Sequence, residues 1–480
     1  MTLNELFPEH GGHEPNLEIS GLTADSRQVG PGYVFAALKG VAADGRDFIP
    51  QAVKAGAVAV LGENLPELDH GVRLNVPNAR RALAEAAARL HPAQPDTIIA
   101  VTGTNGKSST VDFLRQIWTC AGLQAASLGT LGAIGPQGQI DLGHTTPDPV
   151  AIHQTLQTLA RQGVTHAAME ASSHGLAQHR LDGVRLGGVA FTNLTQDHLD
   201  YHATMDAYRC AKLRLFAELA PAGCPAVINA DSPERDRFEA AALEAGLKPV
   251  SVGWRGSDLK IEELMPQATG QRLFLDWRGE KAAVDLPLIG EFQALNALTA
   301  AGLALACGLE LQAVVTGMSR LKAVKGRLEY VGETPAGAGV FVDYAHTPAG
   351  LDVLIRAARP HTAGALVIIF GCGGDRDRGK RPQMGDIAAR HADKVIITDD
   401  NPRHEDPALI RAEILAGSGA ALEIEDRREA IYAAIEALQP GDTLLIAGKG
   451  HETGQIIGDT VIPFSDQATA LQALEDLHHG

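Results

Sequence analysis

The stretch Gly103-Thr104-Asn105-Gly106-Lys107-Ser108-Ser109-Thr110 constrains the fold more than any other part of the chain. The β-branched run Ile98-Ile99-Ala100-Val101 leads into it. Apolar residues at Val111, Leu114, Ile117, Trp118 and Ala121 lead out of it at helical spacing, until Gly122 stops the pattern. A strand must therefore end, curl through glycines and start a helix. The N–H groups and positive dipole end of that helix face the loop, which suits a phosphate. Lys107 can neutralise phosphate charge, and a hydroxyl at Ser108 or Ser109 can ligate Mg²⁺. The spacing is Gly-x-x-Gly-Lys, with Val101 where the longer nucleotide loop needs its first glycine. The competing reading is a glycine turn with a solvated lysine, which the strand before and the helix after disfavour.

The rest of the chain repeats the strand-to-helix pattern. Ala365 to Phe370, Lys394 to Thr398 and Asp442 to Ala447 are continuous apolar runs separated by helical segments. Such runs suit parallel strands buried on both faces, whose carboxyl ends gather ligands. The fold class is α/β. Two joints stand out: Leu90 to Asp96, interrupted by Pro92 and Pro95 after an Ala-rich helical stretch from Arg80, and the basic stretch Ser319 to Arg327. They divide the 480 residues into domains 1–92, 93–321 and 322–480, in line with domains of roughly 100–200 residues.

Composition narrows the partners. The formal net charge of −17 argues against a sequence-independent nucleic-acid binder. No apolar run reaches the roughly 20 residues of a membrane span, and the start, Met1 to His10, is expected to hold no signal peptide. The five cysteines, Cys120, Cys210, Cys224, Cys307 and Cys372, lack metal-ligand spacing and read as buried thiols of a reducing compartment. A cytoplasmic enzyme is expected.

Chemistry-bearing residues follow several apolar runs. Glu170 closes Ala167-Ala168-Met169 and precedes Ala171-Ser172-Ser173-His174-Gly175. Asp197, His198 and Asp200 follow Phe191-Thr192-Asn193. Hard Mg²⁺ prefers a few carboxylates with phosphate and water, so Glu170 and His198 beside a phosphate loop favour a metal–nucleotide site. In the third part, Gly371 to Pro382 carries four cations at positions 376–381, which suggests an anion site against the alternative of a solvated basic turn. Asp399 to Pro407 and Gly448-Lys449-Gly450-His451-Glu452 follow the next strands. Three polar loops at neighbouring strand ends can converge on one ligand carrying both charge signs.

These residues resemble the Mur ligases of peptidoglycan synthesis over nearly the whole chain. Gly103 to Thr110 is similar to the family's ATP loop, Asn193 to Tyr201 to its second signature, and Asp343 to Pro348 to its third-domain nucleotide contact. The resemblance is greatest to the diaminopimelate-adding branch. It implies an N-terminal uridine-nucleotide domain, a central P-loop ATPase-like parallel sheet and a C-terminal Rossmann-like domain that binds the incoming amino acid. It further implies ATP contacts at Gly103, Thr104, Asn105, Gly106, Lys107, Ser108, Ser109, Asn296, Arg327, Asp343 and His346.

By the same resemblance, Ala24, Ser26, Val41, Ala42 and Ala43 would hold the UDP part of UDP-MurNAc-L-Ala-D-Glu. Thr145, Thr146, Ser172, Gln178 and Arg180 would hold its muramoyl dipeptide, as would His144, which stands where a relative carries Asn. Meso-diaminopimelate would meet Arg376, Asp400, Asn401, Pro402, Arg403, Gly448 and Glu452. Lys212, in Tyr208 to Phe216, matches a lysine that CO₂ carbamylates to N6-carboxylysine. With Ser108, Glu170 and His198, it would bind Mg²⁺. Catalysis would fall to Lys107, Lys212, His198 and Glu170. ATP would phosphorylate the D-glutamyl side-chain carboxylate, the diaminopimelate amine would attack the acyl phosphate, and closure of the third domain would exclude water. Such an enzyme serves cell wall biogenesis, cell shape and division, and a monomer is expected. The alternatives are a lysine-adding or folylpolyglutamate-type ligase and, from another class, a P-loop NTPase switch or kinase. A switch needs no amino-acid pocket, so the three third-part loops argue against it.

Overall fold

The computed structural model describes residues 1–8, 14, 16–40, 43–68 and 70–479. The chain forms two compact units: Met1–Leu259 with Thr299–Val314, and Lys260–Leu298 with Val315–Gly480. Among the described residues, no helix is long and apolar enough to cross a membrane.

The first unit opens with a four-stranded parallel sheet, Gly21–Thr23, Tyr33–Ala37, Ala57–Gly62 and Val72–Asn75, in that order. The expected Ala-rich helix covers it as Ala79–Leu90. Asn78 caps that helix by accepting from the Arg81 amide, and Leu83, Ala84, Ala86 and Ala87 are buried. A larger sheet follows. Its strands lie in the spatial order Lys248–Gly253, Pro225–Asn229, Leu186–Phe191, Thr97–Thr102, His166–Glu170 and Ala125–Gly129, all parallel. The antiparallel strands Gly132–Gly135 and Gly138–Ile140 extend it beyond Ala125–Gly129. The strand that feeds the glycine loop thus sits between two parallel neighbours. Register pairs Val101 with Glu170 and Thr102 with Phe191, so the three strands end side by side. The helix after the loop is Lys107–Cys120, and Gly122 takes a left-handed φ of 84° two residues beyond it.

The second unit contains a six-stranded sheet in the order Glu329–Glu333, Gly339–Asp343, Thr443–Ala447, Leu366–Phe370, Lys394–Ile397 and Leu422–Glu423. The first pair is antiparallel and the others are parallel. The three apolar runs read from the sequence are the centre of this sheet. Alternation along them builds two cores: Phe341, Ile368, Phe370 and Leu445 belong to one, and Val340, Val342, Ile369, Leu444 and Ile446 to the other. Helices Pro348–Ala358, Lys380–His391 and Pro407–Ser418 supply the first core, and Arg427–Glu436 and Asp466–His479 the second.

The cysteines depart from the expectation of five buried thiols, since Cys120 and Cys307 are only partly buried. Cys224 and Cys372 are buried and all five are free thiols, but Cys210 is exposed. It lies on the outer side of the helix Met205–Arg214, whose buried residues are Tyr208 and Lys212.

Arg427 and Asp466 are each wholly buried and form a bidentate pair, Nε to Oδ1 at 2.7 Å and Nη2 to Oδ2 at 2.8 Å. Nη2 also donates to the Ala447 carbonyl at 2.9 Å, at the end of a central strand. Removing one partner of such a pair leaves an uncompensated buried charge. Arg427→Ala is expected to lower unfolding stability by about 3–5 kcal/mol, read from urea denaturation of the purified variant. A loss below about 1 kcal/mol, the range of surface ion pairs, would contradict this.

Candidate active site

The glycine loop is shaped from the adjacent strand end. Gly103 and Gly106 adopt φ of 154° and 83°, and a methyl group at Gly103 would run into Thr192 Oγ1. The Thr104 amide donates to Asn193 O at 2.8 Å, the Asn105 amide to Asn193 Oδ1 at 3.0 Å, and Thr192 Oγ1 to Asn105 O at 2.6 Å. This role of Thr192 and Asn193 is not evident from the sequence motif alone. The signal was their place directly after an apolar run, and strand register brings that run beside the loop.

Glu170 ends the strand on the other side and is 2 % exposed. Its Oε1 accepts from Ser108 Oγ and the Thr130 amide, both at 2.8 Å. Lys107 Nζ donates to Gly103 O at 2.9 Å and Thr104 O at 2.8 Å. Lys212, 1 % exposed, donates to the same Gly103 carbonyl at 2.8 Å, and its Nζ stands 4.5 Å from the centre of the Tyr208 ring. Burial, and next the charge of Lys107, push the Lys212 amine down to about 6. Tyr208 reaches the loop as well, its hydroxyl 3.1 Å from Thr104 Oγ1. His198 lies edge-on to Tyr208, ring centres 6.1 Å apart, and edge-on to His174 at 4.9 Å. Its φ of 53° is left-handed, and its amide donates to Asp197 Oδ1 at 2.8 Å. Among the described residues no three His, Cys, Asp or Glu side chains gather as a ready-made metal cage.

The residues expected to hold a muramoyl dipeptide join this cluster. Thr146 Oγ1 donates to Glu170 O at 3.0 Å and accepts from the Ser172 amide at 3.2 Å, while the Thr145 and Thr130 hydroxyls lie 3.0 Å apart. Arg180 donates to Thr146 O at 2.5 Å and grips Gln178 Oε1 with Nε and Nη2, at 3.2 and 2.8 Å. His144 is exposed on the same segment. Ser26 opens the short helix Ser26–Gln28, capped by Asp25, and its hydroxyl donates to Gln51 Oε1 at 3.4 Å. Ala24 is exposed, Ala43 accepts from the Gly40 amide at 2.9 Å, and Val41 and Ala42 lie outside the described residues. Arg80, which sequence reading did not single out, links the two groups. It donates to Lys39 O at 2.7 Å and to Gln178 Oε1 at 3.5 Å.

In the second unit, Asp343 ends a strand, and its carboxylate accepts from the Leu328 and Ala345 amides, both at 2.7 Å. Burial pushes its carboxyl up to about 6 against the pull of those amides and of Arg327. Arg327 lies over the Tyr344 ring at 5.0 Å, and its carbonyl accepts from Gln293, whose Oε1 takes the Asn296 amide at 3.3 Å. His346 is exposed, and its carbonyl accepts from Lys380 at 2.8 Å.

The basic run is not a single anion site. Arg378 and Arg381 pair with Glu413 and Glu405 from the neighbouring helix and its entry loop. Arg376 stays exposed and donates to Asp375 O at 3.2 Å. The other two loops do meet. Arg403, at a left-handed φ of 50°, donates from Nη1 to Gly374 O at 2.9 Å, so it reaches the Arg376 loop. Asn401 Nδ2 donates to Glu452 Oε2 at 2.9 Å. Gly448 must be glycine, since a methyl would stand 2.6 Å from Asp400 Oδ2. Asp400 is 9 % exposed. Pro402 follows Asn401 and turns the chain toward Arg403. Carboxylates and guanidinium groups thus share one set of strand ends.

Three models of one family match successive parts of the chain: the Mur ligase family catalytic domain over residues 18–91, the Mur ligase middle domain over 101–304, and the Mur ligase glutamate ligase domain over 326–450. The UDP-N-acetylmuramoyl-L-alanyl-D-glutamate–2,6-diaminopimelate ligase of Brucella melitensis biotype 1 is 51% identical over 477 residues, covering 98% of this chain and 96% of its own length. The enzyme of the same name from Bradyrhizobium diazoefficiens is 51% identical over 481 residues, covering 99% of each. A solved structure of a protein with that name superposes with a TM-score of 0.79 at 35% identity, covering 100% of both chains.

The buried amine of Lys212 has a consequence for stability. Its folded value of about 6 lies below the ordinary 10.5, so the unfolded chain binds the extra proton between those values. The native state is therefore disfavoured as pH falls through that window. Lys212→Met removes the cost. Its stability advantage over wild type in CO₂-free buffer is expected to grow as pH falls toward 6 and to level off below it. Urea titrations across that range check this, and a pH-independent difference would contradict it.

Proposed function

Because the chain belongs to the Mur ligase family, we infer that it is an ATP-dependent amide ligase that adds meso-2,6-diaminopimelate to UDP-N-acetylmuramoyl-L-alanyl-D-glutamate in peptidoglycan precursor synthesis. The observation that carries this reading is half-identity, over nearly the full length of both chains, to ligases named for that reaction. Residues 1–92 serve the uridine nucleotide, 93–321 the ATP chemistry and 322–480 the amino acid. The reaction takes place in the cytoplasm.

In the first step a D-glutamyl side-chain carboxylate oxygen attacks the γ-phosphorus of ATP, and ADP leaves. Lys107, Ser109 and the amides of Gly103 to Ser108 hold the phosphates, and Lys107 counters the charge that develops on them. By the family resemblance, Asn296, Arg327, Asp343 and His346 are further nucleotide-binding residues. Thr145, Thr146, Ser172, Gln178 and Arg180 orient the dipeptide, with His144 beside them. Ala24, Ser26 and the 41–43 segment hold the uridine end. In the second step a neutral amine of diaminopimelate attacks the acyl carbon, its nitrogen loses one proton to solvent, the C–O bond to phosphate breaks, and phosphate leaves with that oxygen.

The residues near the loop fit Mg²⁺. Among the described residues both hydrogen bonds to the Glu170 carboxylate fall on Oε1, so Oε2 is left as a hard donor beside Ser108 Oγ, with His198 a further ligand by the family resemblance alone. When bound, the ion would neutralise phosphate charge. A cationic Lys212 does not suit such a site. A neutral Lys212 amine, by contrast, would attack the carbon of CO₂ and release one proton to solvent, giving a carbamate anion. That group keeps an N–H for Gly103 O, adds oxygen donors and turns repulsion from Lys107 into attraction.

The amino-acid pocket discriminates by its far end. Diaminopimelate carries a second carboxylate that lysine lacks, and Arg403 can grip it with two parallel charge-assisted hydrogen bonds. Arg376 lies on the same loop cluster, Asp400 and Glu452 meet ammonium groups, and Asn401 and Gly448 complete the wall behind Pro402. Phosphate release with the UDP-dipeptide and a panel of amino acids tests both the reaction and the selector. Wild type is expected to prefer diaminopimelate over lysine by about 10⁴ or more, and Arg403→Ala to lose most of that preference. Equal use of lysine by wild type would overturn the assignment, and an unchanged preference in the variant would remove Arg403 from the role.

A further inference from the structure

Lys449 has no solvent exposure, yet it is not part of any apolar core. Its Nζ donates to Asn401 Oδ1 at 2.9 Å and lies 3.4 Å from Glu452 Oε2. The third side of this triangle is the bond from Asn401 Nδ2 to the same Glu452 oxygen, at 2.9 Å. The Ile456 amide adds a second donor to Asn401 Oδ1 at 3.0 Å. Asn401 is itself 3 % exposed. A buried ammonium is costly unless paired and hydrogen-bonded, and both side chains that serve this one belong to the proposed amino-acid pocket.

Two consequences follow from donor and acceptor chemistry. An amide can present either its oxygen or its nitrogen to a neighbour. With Lys449 and the Ile456 amide both donating to one side, the oxygen of Asn401 must lie there, and its NH₂ must face Glu452. Glu452 Oε2 then takes two donors, so Oε1 is left as the acceptor for a ligand.

We propose that Lys449 is a positioning residue for the amino-acid substrate: it fixes the amide orientation of Asn401, whose NH₂ holds the Glu452 carboxylate, and so presents the free oxygen of Glu452 that receives an ammonium group of the incoming amino acid. The proposal rests on the amino-acid assignment made above. It adds a residue that would touch no substrate and would act through Asn401 and Glu452.

The test is steady-state kinetics of Lys449→Met, which keeps length and volume but removes charge and donors, with Lys449→Arg as the charge-retaining control. Asn401→Ala and the double variant Lys449→Met/Asn401→Ala complete a cycle. Lys449→Met is expected to raise the KM for diaminopimelate roughly tenfold or more, with the KM values for ATP and UDP-dipeptide and the kcat at saturating amino acid within about twofold of wild type. Lys449→Arg should recover most of the loss. The double variant should be little worse than Asn401→Ala, because one residue acts through the other. A merely structural lysine would lower the active fraction, and hence kcat, while leaving every KM alone, and that result overturns the proposal. Additive effects in the cycle overturn it too. Should the methionine variant not stay folded, Lys449→Gln replaces it in the same comparison, and an unchanged diaminopimelate KM there is equally decisive. Wild type that ignores diaminopimelate would refute the amino-acid assignment instead, a result distinct from a wild-type response with an indifferent Lys449.

Discussion

Two lysine amines converge on one carbonyl oxygen, that of Gly103. This constraint orders much of the first unit. The carbonyl is available because Gly103 takes a backbone angle that brings it against Thr192, where no side chain fits. The two amines cannot both stay cationic in a buried place without cost. Lys107 lies at the start of a helix, beside a loop suited to phosphate. Lys212, deeper and further from water, is the one driven toward neutrality. A neutral amine there is a reactive group, and its conversion to a carbamate would relieve the same tension that created it.

The second unit solves the opposite problem. It must bring charges of both signs to one set of strand ends without letting them collapse on each other. It does so with cations beneath the loops. Arg427 ties the Ala447 strand end to Asp466, and Lys449 sits between Asn401 and Glu452. Arg381, also without exposure, holds Glu405 and Glu413 and so anchors the loop that carries Arg376. Arg376, which stays exposed, and the partly buried Arg403 are left on these loops.

Much of this was legible in the sequence for a physical reason. A strand buried on both faces must be continuously apolar, and a phosphate loop needs glycine, so Thr97–Thr102, the loop and Lys107–Cys120 could be read directly. Glu170 was legible because a carboxylate at the end of an apolar run is otherwise hard to explain. What sequence could not show was which loops become neighbours. Thr192 and Asn193 lie about 90 residues from the loop they shape, and only strand order brings them there. The basic run at 376–381 misled, because sequence shows cations and not the glutamates, one helix away, that neutralise two of them. Lys449 stands in the polar loop Gly448 to Glu452, but only burial separates a buried ammonium from a solvated one.

The central claim is that ATP activates a carboxylate for amide formation, and isotope transfer tests it most directly. UDP-dipeptide labelled with ¹⁸O in both oxygens of the D-glutamyl side-chain carboxylate is turned over with ATP and diaminopimelate, and the phosphate is analysed by mass spectrometry. Each phosphate is predicted to carry one ¹⁸O from the carboxylate, with the other kept in the new amide. Release of unlabelled phosphate at the rate of product formation would contradict an acyl-phosphate route, and with it the chemistry assigned to the Gly103 loop.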